Sequence, residues 1–209
     1  IHKADSGELC AVATDGHRLA LTRQALPSGA AQMPPIILPR KAVSELRKLL
    51  DDFDGEVFVS LSETRAEFRF GVVRLTSKLI DGTFPDYTRV IPVGNDRVMQ
   101  VDVSAFSAAV DRVATIASEK SRSVKMGLKQ DLLTLSASNT DASSATEELE
   151  VQYNGAEMEI GFNARYLLDI AGQVNSEMVE FALADQGSPS LVRAPGDESS
   201  LFVLMPMRV

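Results

Sequence analysis

Residues 8–23, ELCAVATDGHRLALTR, predict a β-hairpin near the start of the chain. Apolar residues alternate with other residues on both sides of the Asp15-Gly16 pair, which supplies the turn. An Asp-Gly pair between alternating apolar residues is the strongest short-range signal for a hairpin. Cys10 falls inside the first strand, where we expect it to pack as a small apolar side chain.

A helix followed by antiparallel strands comes after the hairpin. The apolar run at residues 36–38 predicts a short buried strand, and the helix after it is expected to end at Asp54-Gly55. Alternating runs predict strands at residues 57–61, 66–70 and 72–77. The apolar stripe of the helix comprises Val43, Leu46, Leu49 and Leu50.

The second half of the chain repeats this arrangement. Ser104 is the expected N-cap of one helix and Asn163 that of another, which should run to about residue 174. The order strand, helix, strands at residues 36–70 returns at residues 160–194, a period of about 120 residues. Strands are predicted at residues 124–128, 132–137, 145–153, 157–162, 179–184, 191–194 and 201–205.

These elements predict an α+β fold in which helices gather on one side of antiparallel sheets. The turn-rich stretch from Asp81-Gly82 to Asn95 is the expected domain boundary, which divides the chain into residues 1–95 and 96–209. With 209 residues, the chain is long enough for two domains of about 100 residues each.

Composition excludes several classes of protein. The single cysteine rules out an internal disulfide bond, and no apolar run approaches the roughly 18 residues of a membrane-spanning helix. A hydrophobic fraction of 44% and a charged fraction of 24% match the globular average and argue against disorder. The net charge of −8 is unfavourable for DNA binding, although the charge of one face matters more than the total.

Catalytic or metal-binding chemistry finds little support in the sequence. His2 and His17 are the only histidines, too few for a metal cluster with one cysteine. The turn accounts for Asp15 and Gly16 without a general base at His17. We expect no catalysis, cofactor or metal, and an enzyme with an unrecognised carboxylate or histidine site is kept as the alternative.

The C-terminal segment, FVLMPMRV at residues 202–209, is apolar, whereas chain ends are usually polar and frayed. Pro206 is expected to end the last strand, because proline cannot donate a hydrogen bond to a neighbouring strand. Met207 and Val209 are then left for another task, and methionine suits a surface that accepts several partners.

Four segments in the same order resemble bacterial sliding clamps, the beta subunits of DNA polymerase III. They are TDGHRLA at residues 14–20, SKLIDGTFPDY at 77–87, GAEMEIGFN at 155–163 and MPMR at 205–208. The resemblance implies a DNA-clamp fold with helices lining a central hole and antiparallel sheets outside. Residues 1–95 would be a truncated second domain and residues 96–209 a complete third domain.

The resemblance also implies what such a protein does. A sliding clamp forms a homodimeric ring around duplex DNA without regard to sequence, in the bacterial cytoplasm at the nucleoid, and makes DNA polymerases processive. Without a first domain, this chain should not close the normal ring.

A pocket for short linear motifs is implied as well. Its partners are the alpha subunit of DNA polymerase III, the clamp loader, other polymerases and repair proteins. The matching positions are Thr14, Gly16, His17, Arg18, Leu19, Pro85, Arg89, Val90, Asn163, Tyr166, Val203, Leu204, Met205, Pro206, Met207 and Arg208.

Two further surfaces are expected, each with a plainer alternative. The residues that would face DNA are Lys41, Lys48, Arg112, Lys120 and Arg122, and an ordinary solvated helix face explains them equally well. The residues of the ring seam would be Ile116, Glu147, Glu148 and Glu150, and a solvated strand edge also explains these glutamates. A further alternative for the whole chain is a structural interaction module that does not bind DNA. Its binding to partners would not depend on salt concentration or on DNA topology.

Overall fold

The computed structural model describes residues 1–117, 122–139 and 143–208. The chain divides into two units, Ile1–Ala11 with Arg23–Asp86 and Val12–Thr22 with Tyr87–Val209. The tip of the predicted hairpin therefore belongs to the second unit, although it comes early in the sequence.

The first unit packs one α-helix on a small antiparallel sheet. Phe68 and Phe70 are buried in the sheet, and Leu46 and Leu50 of the helix belong to the same apolar cluster. Two short strands at the start of the chain, β1 (His2–Lys3) and the beginning of β2 (Leu9–Thr14), pair with each other. The helix is α1 (Arg40–Leu50), and the sheet order is β4 (Phe58–Leu61), β5 (Arg65–Phe70) and β6 (Val73–Lys78).

Two predictions for this unit are wrong. Residues 36–38 form no regular strand. Ile1 and Ile36 exchange two backbone hydrogen bonds, of 2.8 and 2.9 Å, but pairing through one residue on each side does not make a strand. Helix α1 ends at Leu50, before Asp54-Gly55. Its inward residues follow a spacing of four, Ala42, Leu46 and Leu50, so Val43 and Leu49 lie beside this stripe and are exposed.

Among its described residues, the second unit contains two antiparallel sheets and two α-helices. Helices α2 (Val103–Ala114) and α3 (Ala164–Ala171) pack against each other. The smaller sheet has the order β10 (Ser144–Glu150), β9 (Leu132–Ser138), β8 (Ser123–Lys129) and β12 (Met158–Asn163). The larger begins with the end of β2 in the hairpin. It continues in the order β3 (Arg18–Gln24), β15 (Ser200–Leu204), β14 (Ser190–Arg193), β13 (Met178–Leu183), β7 (Arg97–Asp102) and β11 (Gln152–Tyr153).

One apolar core joins these sheets and helices. Phe106 of α2 and Phe181 of β13 are fully buried, with ring centroids 5.3 Å apart, and Phe162 of β12 belongs to the same cluster. Alternate residues of β8 and β9 are buried as the period of two requires. The core therefore holds the start of α3, because Phe162 lies only two residues before Ala164.

In the part of the chain that the structure describes, a helix followed by three antiparallel strands occurs three times: α1-β4-β5-β6, α2-β8-β9-β10 and α3-β13-β14-β15. The recurrence predicted at about 120 residues is confirmed for the helix and the strands after it, since α1 and α3 begin that far apart, although the strand predicted before α1 is not formed. The copy that begins at α2 was not predicted and lies about 60 residues from each of the others. Cys10 is buried in β2, as predicted.

Local details of the second unit also differ from prediction. Asp102, not Ser104, is the N-cap of α2, because its carboxylate accepts the backbone N–H of Ala105 at 2.7 Å. The single strand predicted at residues 145–153 is two strands, since β10 pairs with β9 and β11 pairs with β7. Helix α3 ends at Ala171 rather than near residue 174. Within the described residues, none of the helices is both long and apolar enough to cross a membrane.

Candidate functional site

The tip of the hairpin is held by its own side chains. Asp15 Oδ1 accepts the backbone N–H groups of His17 at 3.0 Å and Arg18 at 3.1 Å. The hydroxyl of Thr14 donates to the carbonyl of Arg18 at 2.8 Å and accepts the N–H of Gly16 at 3.2 Å. Gly16 has a φ of 86°, a left-handed conformation that glycine adopts without steric cost. These contacts fix the direction in which His17 and Arg18 leave the turn.

The guanidinium of Arg18 is held by two carboxylates. Its Nε donates to Asp15 Oδ2 at 3.1 Å, and its Nη1 donates to Asp169 Oδ2 of α3 at 2.7 Å. The guanidinium carbon lies 4.3 Å from the centroid of the Tyr166 ring, within the range of a cation–π contact. The ring of His17 stacks on Tyr166 with centroids 6.3 Å apart and an interplanar angle of 25°.

The charged groups of this cluster shift one another's pKa values. Burial alone would raise the pKa of Asp15, but hydrogen bonds from the His17 and Arg18 N–H groups and the Arg18 guanidinium outweigh it, so that the pKa is lowered. Burial alone would lower the pKa of Arg18, but its hydrogen bonds to Asp169 and Asp15 raise that pKa above its usual value. The carboxylate of Asp15 and the guanidinium of Arg18 therefore stay ionised around neutral pH.

Asn163 sets the position of Tyr166. Its side-chain oxygen accepts the backbone N–H groups of Arg165 at 3.0 Å and Tyr166 at 3.4 Å, which makes it the N-cap of α3. The cap predicted from the sequence is confirmed.

The C-terminal segment reaches this cluster from the end of β15. Met205 donates its N–H to the carbonyl of His17 at 2.9 Å, and Met207 donates its N–H to the carbonyl of Gly161 at 2.8 Å. The segment therefore links the hairpin tip to strand β12. The expectation that Met207 lies free of the sheets is wrong for its backbone, which forms an isolated bridge to Gly161.

The remaining residues of the implied pocket differ in exposure. Leu19, Val203 and Leu204 are buried, with exposed fractions of 3%, 2% and 0%, so they support the surface from beneath. Met205 is 39% exposed, Pro206 and Met207 are half-buried, and Arg208 is exposed. Arg89 and Val90 lie in a short 3-10 turn, Tyr87–Val90, of the second unit, and both are exposed. Pro85 belongs to the first unit, where it is exposed.

The residues expected to face DNA have different surroundings. Lys41 is exposed on α1, and Lys48 donates to Glu45 at 3.2 Å. Arg40 and Arg47 are also exposed on α1, each next to one of these lysines in the sequence, and were not among the residues expected to face DNA. Arg122 is exposed, and Lys120 lies outside the described residues.

Arg112 and Glu147, assigned from the sequence to different surfaces, pair with each other. Arg112 Nε donates to Glu147 Oε1 at 2.6 Å and Nη2 donates to Oε2 at 2.7 Å. The hydrogen bond from Arg112 lowers the pKa of Glu147. Any contact of Arg112 with a phosphate would have to compete with this bidentate pair.

The other seam residues lie at one edge of the smaller sheet. Strand β10 is an edge strand that pairs with β9, and Glu148 and Glu150 on it are exposed. Ile116 lies just after α2 and is half-buried. Charged side chains on an edge strand oppose unspecific pairing with other strands, and an edge is also where another chain can dock.

Comparison with known proteins identifies the family. The model of the DNA polymerase III beta subunit, C-terminal domain, matches residues 88–208, and the model of the central domain of this subunit matches residues 1–86. The beta sliding clamp of Caulobacter vibrioides is 49% identical over 212 residues, and that of Escherichia coli is 37% identical over 213 residues. Each alignment includes 100% of this chain, which spans about 57% of the length of these relatives.

Solved structures of sliding clamps are also similar to this chain. A sliding clamp (DNA polymerase III subunit beta) from Bartonella birtlesii, bound to griselimycin, is 51% identical with a TM-score of 0.93. The match covers 97% of this chain and 55% of that one. A beta sliding clamp of Caulobacter crescentus is 49% identical with a TM-score of 0.95, over 100% of this chain and 57% of that one. The predicted clamp fold is confirmed. The chain belongs to the DNA polymerase III beta subunit family.

Proposed function

We propose that this chain is part of a bacterial sliding clamp that encircles duplex DNA and holds replication proteins by short linear motifs. Its partners are the alpha subunit of DNA polymerase III, the clamp loader, other polymerases and repair proteins, and it acts in the cytoplasm at the nucleoid without catalysis of its own. In this proposal residues 1–95 are part of the second clamp domain and residues 96–209 are the third.

The observation that carries the docking role is the junction of three segments in the second unit. The Met205 N–H binds the His17 carbonyl, while Arg18 and His17 of the hairpin both contact Tyr166 of α3. The half-exposed Met205 is thus tied through its backbone to His17, whose ring stacks on Tyr166. A surface of this kind suits an apolar side chain of a partner.

Weak binding fits such a role. A leucine and an aromatic anchor of the motif would bury about 200 Å² of apolar surface, worth about 5 kcal/mol at ~25 cal/mol/Å². Ordering an extended peptide opposes a large part of this free energy, so that we expect micromolar affinity. Partners that must replace one another on the same clamp need to dissociate readily, which a micromolar affinity allows.

Sequence-independent DNA contact is the second part of the proposal. The exposed cations of α1 (Arg40, Lys41, Arg47 and Lys48) and Arg122 and Arg165 of the second unit support it. Contacts of lysine and arginine with phosphates carry no sequence information and weaken with salt, as a clamp that slides requires.

Two probes test the docking role directly, griselimycin and a fluorescent peptide with the motif of a polymerase III alpha subunit. We expect both to bind the wild-type chain and to compete with each other. Met205→Ala should weaken the peptide severalfold, and deletion of residues 205–209 should abolish binding. Val72→Ala, at an exposed apolar residue of the first unit, is the control and should bind as the wild type does.

The deletion removes two backbone hydrogen bonds, so its thermal unfolding is measured alongside. If Met205→Ala and the deletion both fold and bind the peptide as tightly as the wild type, the docking site is not at the C-terminal segment.

A further inference from the structure

The ion pair between Arg18 and Asp169 joins two segments that the sequence separates by 151 residues. Asp169 was not among the residues expected in the pocket, and its carboxylate offers no apolar surface to a partner's side chain. Its contact is with Arg18 Nη1 at 2.7 Å, the shorter of the two hydrogen bonds that hold the guanidinium.

The two carboxylates on Arg18 have different effects. Asp15 belongs to the same turn, three residues away, and would follow the hairpin wherever it moved. Asp169 belongs to α3, so it ties the guanidinium to the helix that carries Tyr166. Two hydrogen bonds from a planar guanidinium fix its orientation as well as its position, whereas a single bond leaves the long side chain free to rotate.

Tyr166 and Asp169 lie three residues apart on α3, and residues at this spacing share one face of a helix. Arg18 contacts both, with its guanidinium carbon 4.3 Å from the ring centroid of Tyr166 and its Nη1 on Asp169. The ring is therefore covered by a cation whose place Asp169 determines. Tyr166 is only half-buried, and without this contact its ring would sample more rotamers before a partner arrived.

We propose that Asp169 is a positioning residue of the docking site: it holds Arg18 over the Tyr166 ring and so presets the surface that receives the partner's apolar side chain. The inference rests on the proposed docking function. It assigns to Asp169 an effect on affinity through Arg18 and Tyr166 and no contact with the partner.

The test compares the variants Asp169→Asn and Asp169→Glu with the wild type, with the same fluorescent motif peptide. We expect Asp169→Asn to bind about fivefold more weakly, because a neutral amide holds a guanidinium less firmly than a carboxylate does. Asp169→Glu keeps the charge and should recover most of the affinity. Asp52→Asn, at an exposed aspartate beyond α1, makes the same change of net charge and should have no effect.

A second readout needs no peptide. The chain has three tyrosines, so the ring resonances of Tyr166 can be assigned in an NMR spectrum with the variant Tyr166→Phe. Departure of the guanidinium from the ring face should shift these resonances in Asp169→Asn and leave them in place in Asp169→Glu. Loss of stability alone would not produce this pattern, and thermal unfolding of each variant is recorded as the check.

The outcomes separate the two proposals. If the wild type binds neither the peptide nor griselimycin, the docking function fails and this inference with it. If the wild type binds and Asp169→Asn binds equally well, the docking function stands and the role of Asp169 is refuted. Weaker binding of Asp169→Asn with unmoved Tyr166 resonances also refutes it, because the effect would then not pass through Arg18 and Tyr166.

Discussion

Asn163→Ala removes the oxygen that accepts the N–H groups of Arg165 and Tyr166 at the start of α3. Loss of an N-cap of this kind costs about 1 kcal/mol of folding free energy, within a range of about 0.5–2 kcal/mol. For a unit of this size we expect the melting temperature to fall by roughly 3–5 °C. Since Tyr166 loses the hydrogen bond that fixes its backbone, the motif peptide should also bind severalfold more weakly.

Asp102→Ala is the matched control for this change. Asp102 caps α2 by accepting the N–H of Ala105 at 2.7 Å, so its removal should destabilise the second unit by a similar amount, about 1 kcal/mol. It lies outside the proposed docking site, and its peptide affinity should stay at the wild-type value.

Both variants are measured by urea unfolding and by fluorescence anisotropy with the labelled peptide. We expect the two variants to lose equal amounts of stability, and only Asn163→Ala to lose affinity for the peptide. If both variants lose affinity in parallel with stability, the effect of Asn163 is a general one and the local argument is refuted. Unchanged stability of Asn163→Ala would show that the cap hydrogen bonds contribute nothing.

Three further predictions concern the core and the hairpin tip. Phe181→Ala, at a fully buried ring packed on Phe106, should lower the unfolding free energy by about 3–5 kcal/mol in urea; a loss below about 1 kcal/mol would contradict the assigned core. Gly16→Ala should cost about 1 kcal/mol through backbone strain alone, because the φ is 86° and no atom lies within 4 Å of an added Cβ; a stabilised variant would contradict the left-handed turn. The pKa of Asp15 is lowered in the folded state, so its stabilising effect is complete above the unfolded pKa of about 3.9 and is lost as the pH falls through the lower, folded pKa. Asp15→Asn should therefore be less stable than the wild type at pH 7, and the difference should vanish in acid; a difference that grows on acidification would reverse the sign of this argument.

Local sequence signals account for much of the fold. The Asp15-Gly16 turn and the Asn163 cap were predictable because each depends on residues within three positions of one another. The choice of Asp102 over Ser104 as a cap was not, because both residue types cap helices well and the helix start depends on where strand β7 ends. The break between β10 and β11 could not be predicted from the sequence for a similar reason. It arises because β10 pairs with β9 whereas β11 pairs with β7.

The candidate site was only partly predictable. Its hairpin, tail and helix residues were named through resemblance, and nothing in residue spacing indicated that the N–H of Met205 would meet His17. The pairing of Arg112 with Glu147 joins residues 35 apart and has no local signal. Asp169 did have a local signal in the sequence. It follows Tyr166 by three residues on a helix, so the two residues share one face of α3.

The most direct test of the docking site is a map of where a partner peptide touches the chain. A motif peptide with a photoreactive leucine analogue is irradiated with the wild-type chain, and the modified residues are found by mass spectrometry. We expect modification at His17, Tyr166 and Met205, and its loss when griselimycin is added in excess. Modification confined to other parts of the chain, such as the exposed strand Phe58–Leu61, would contradict it.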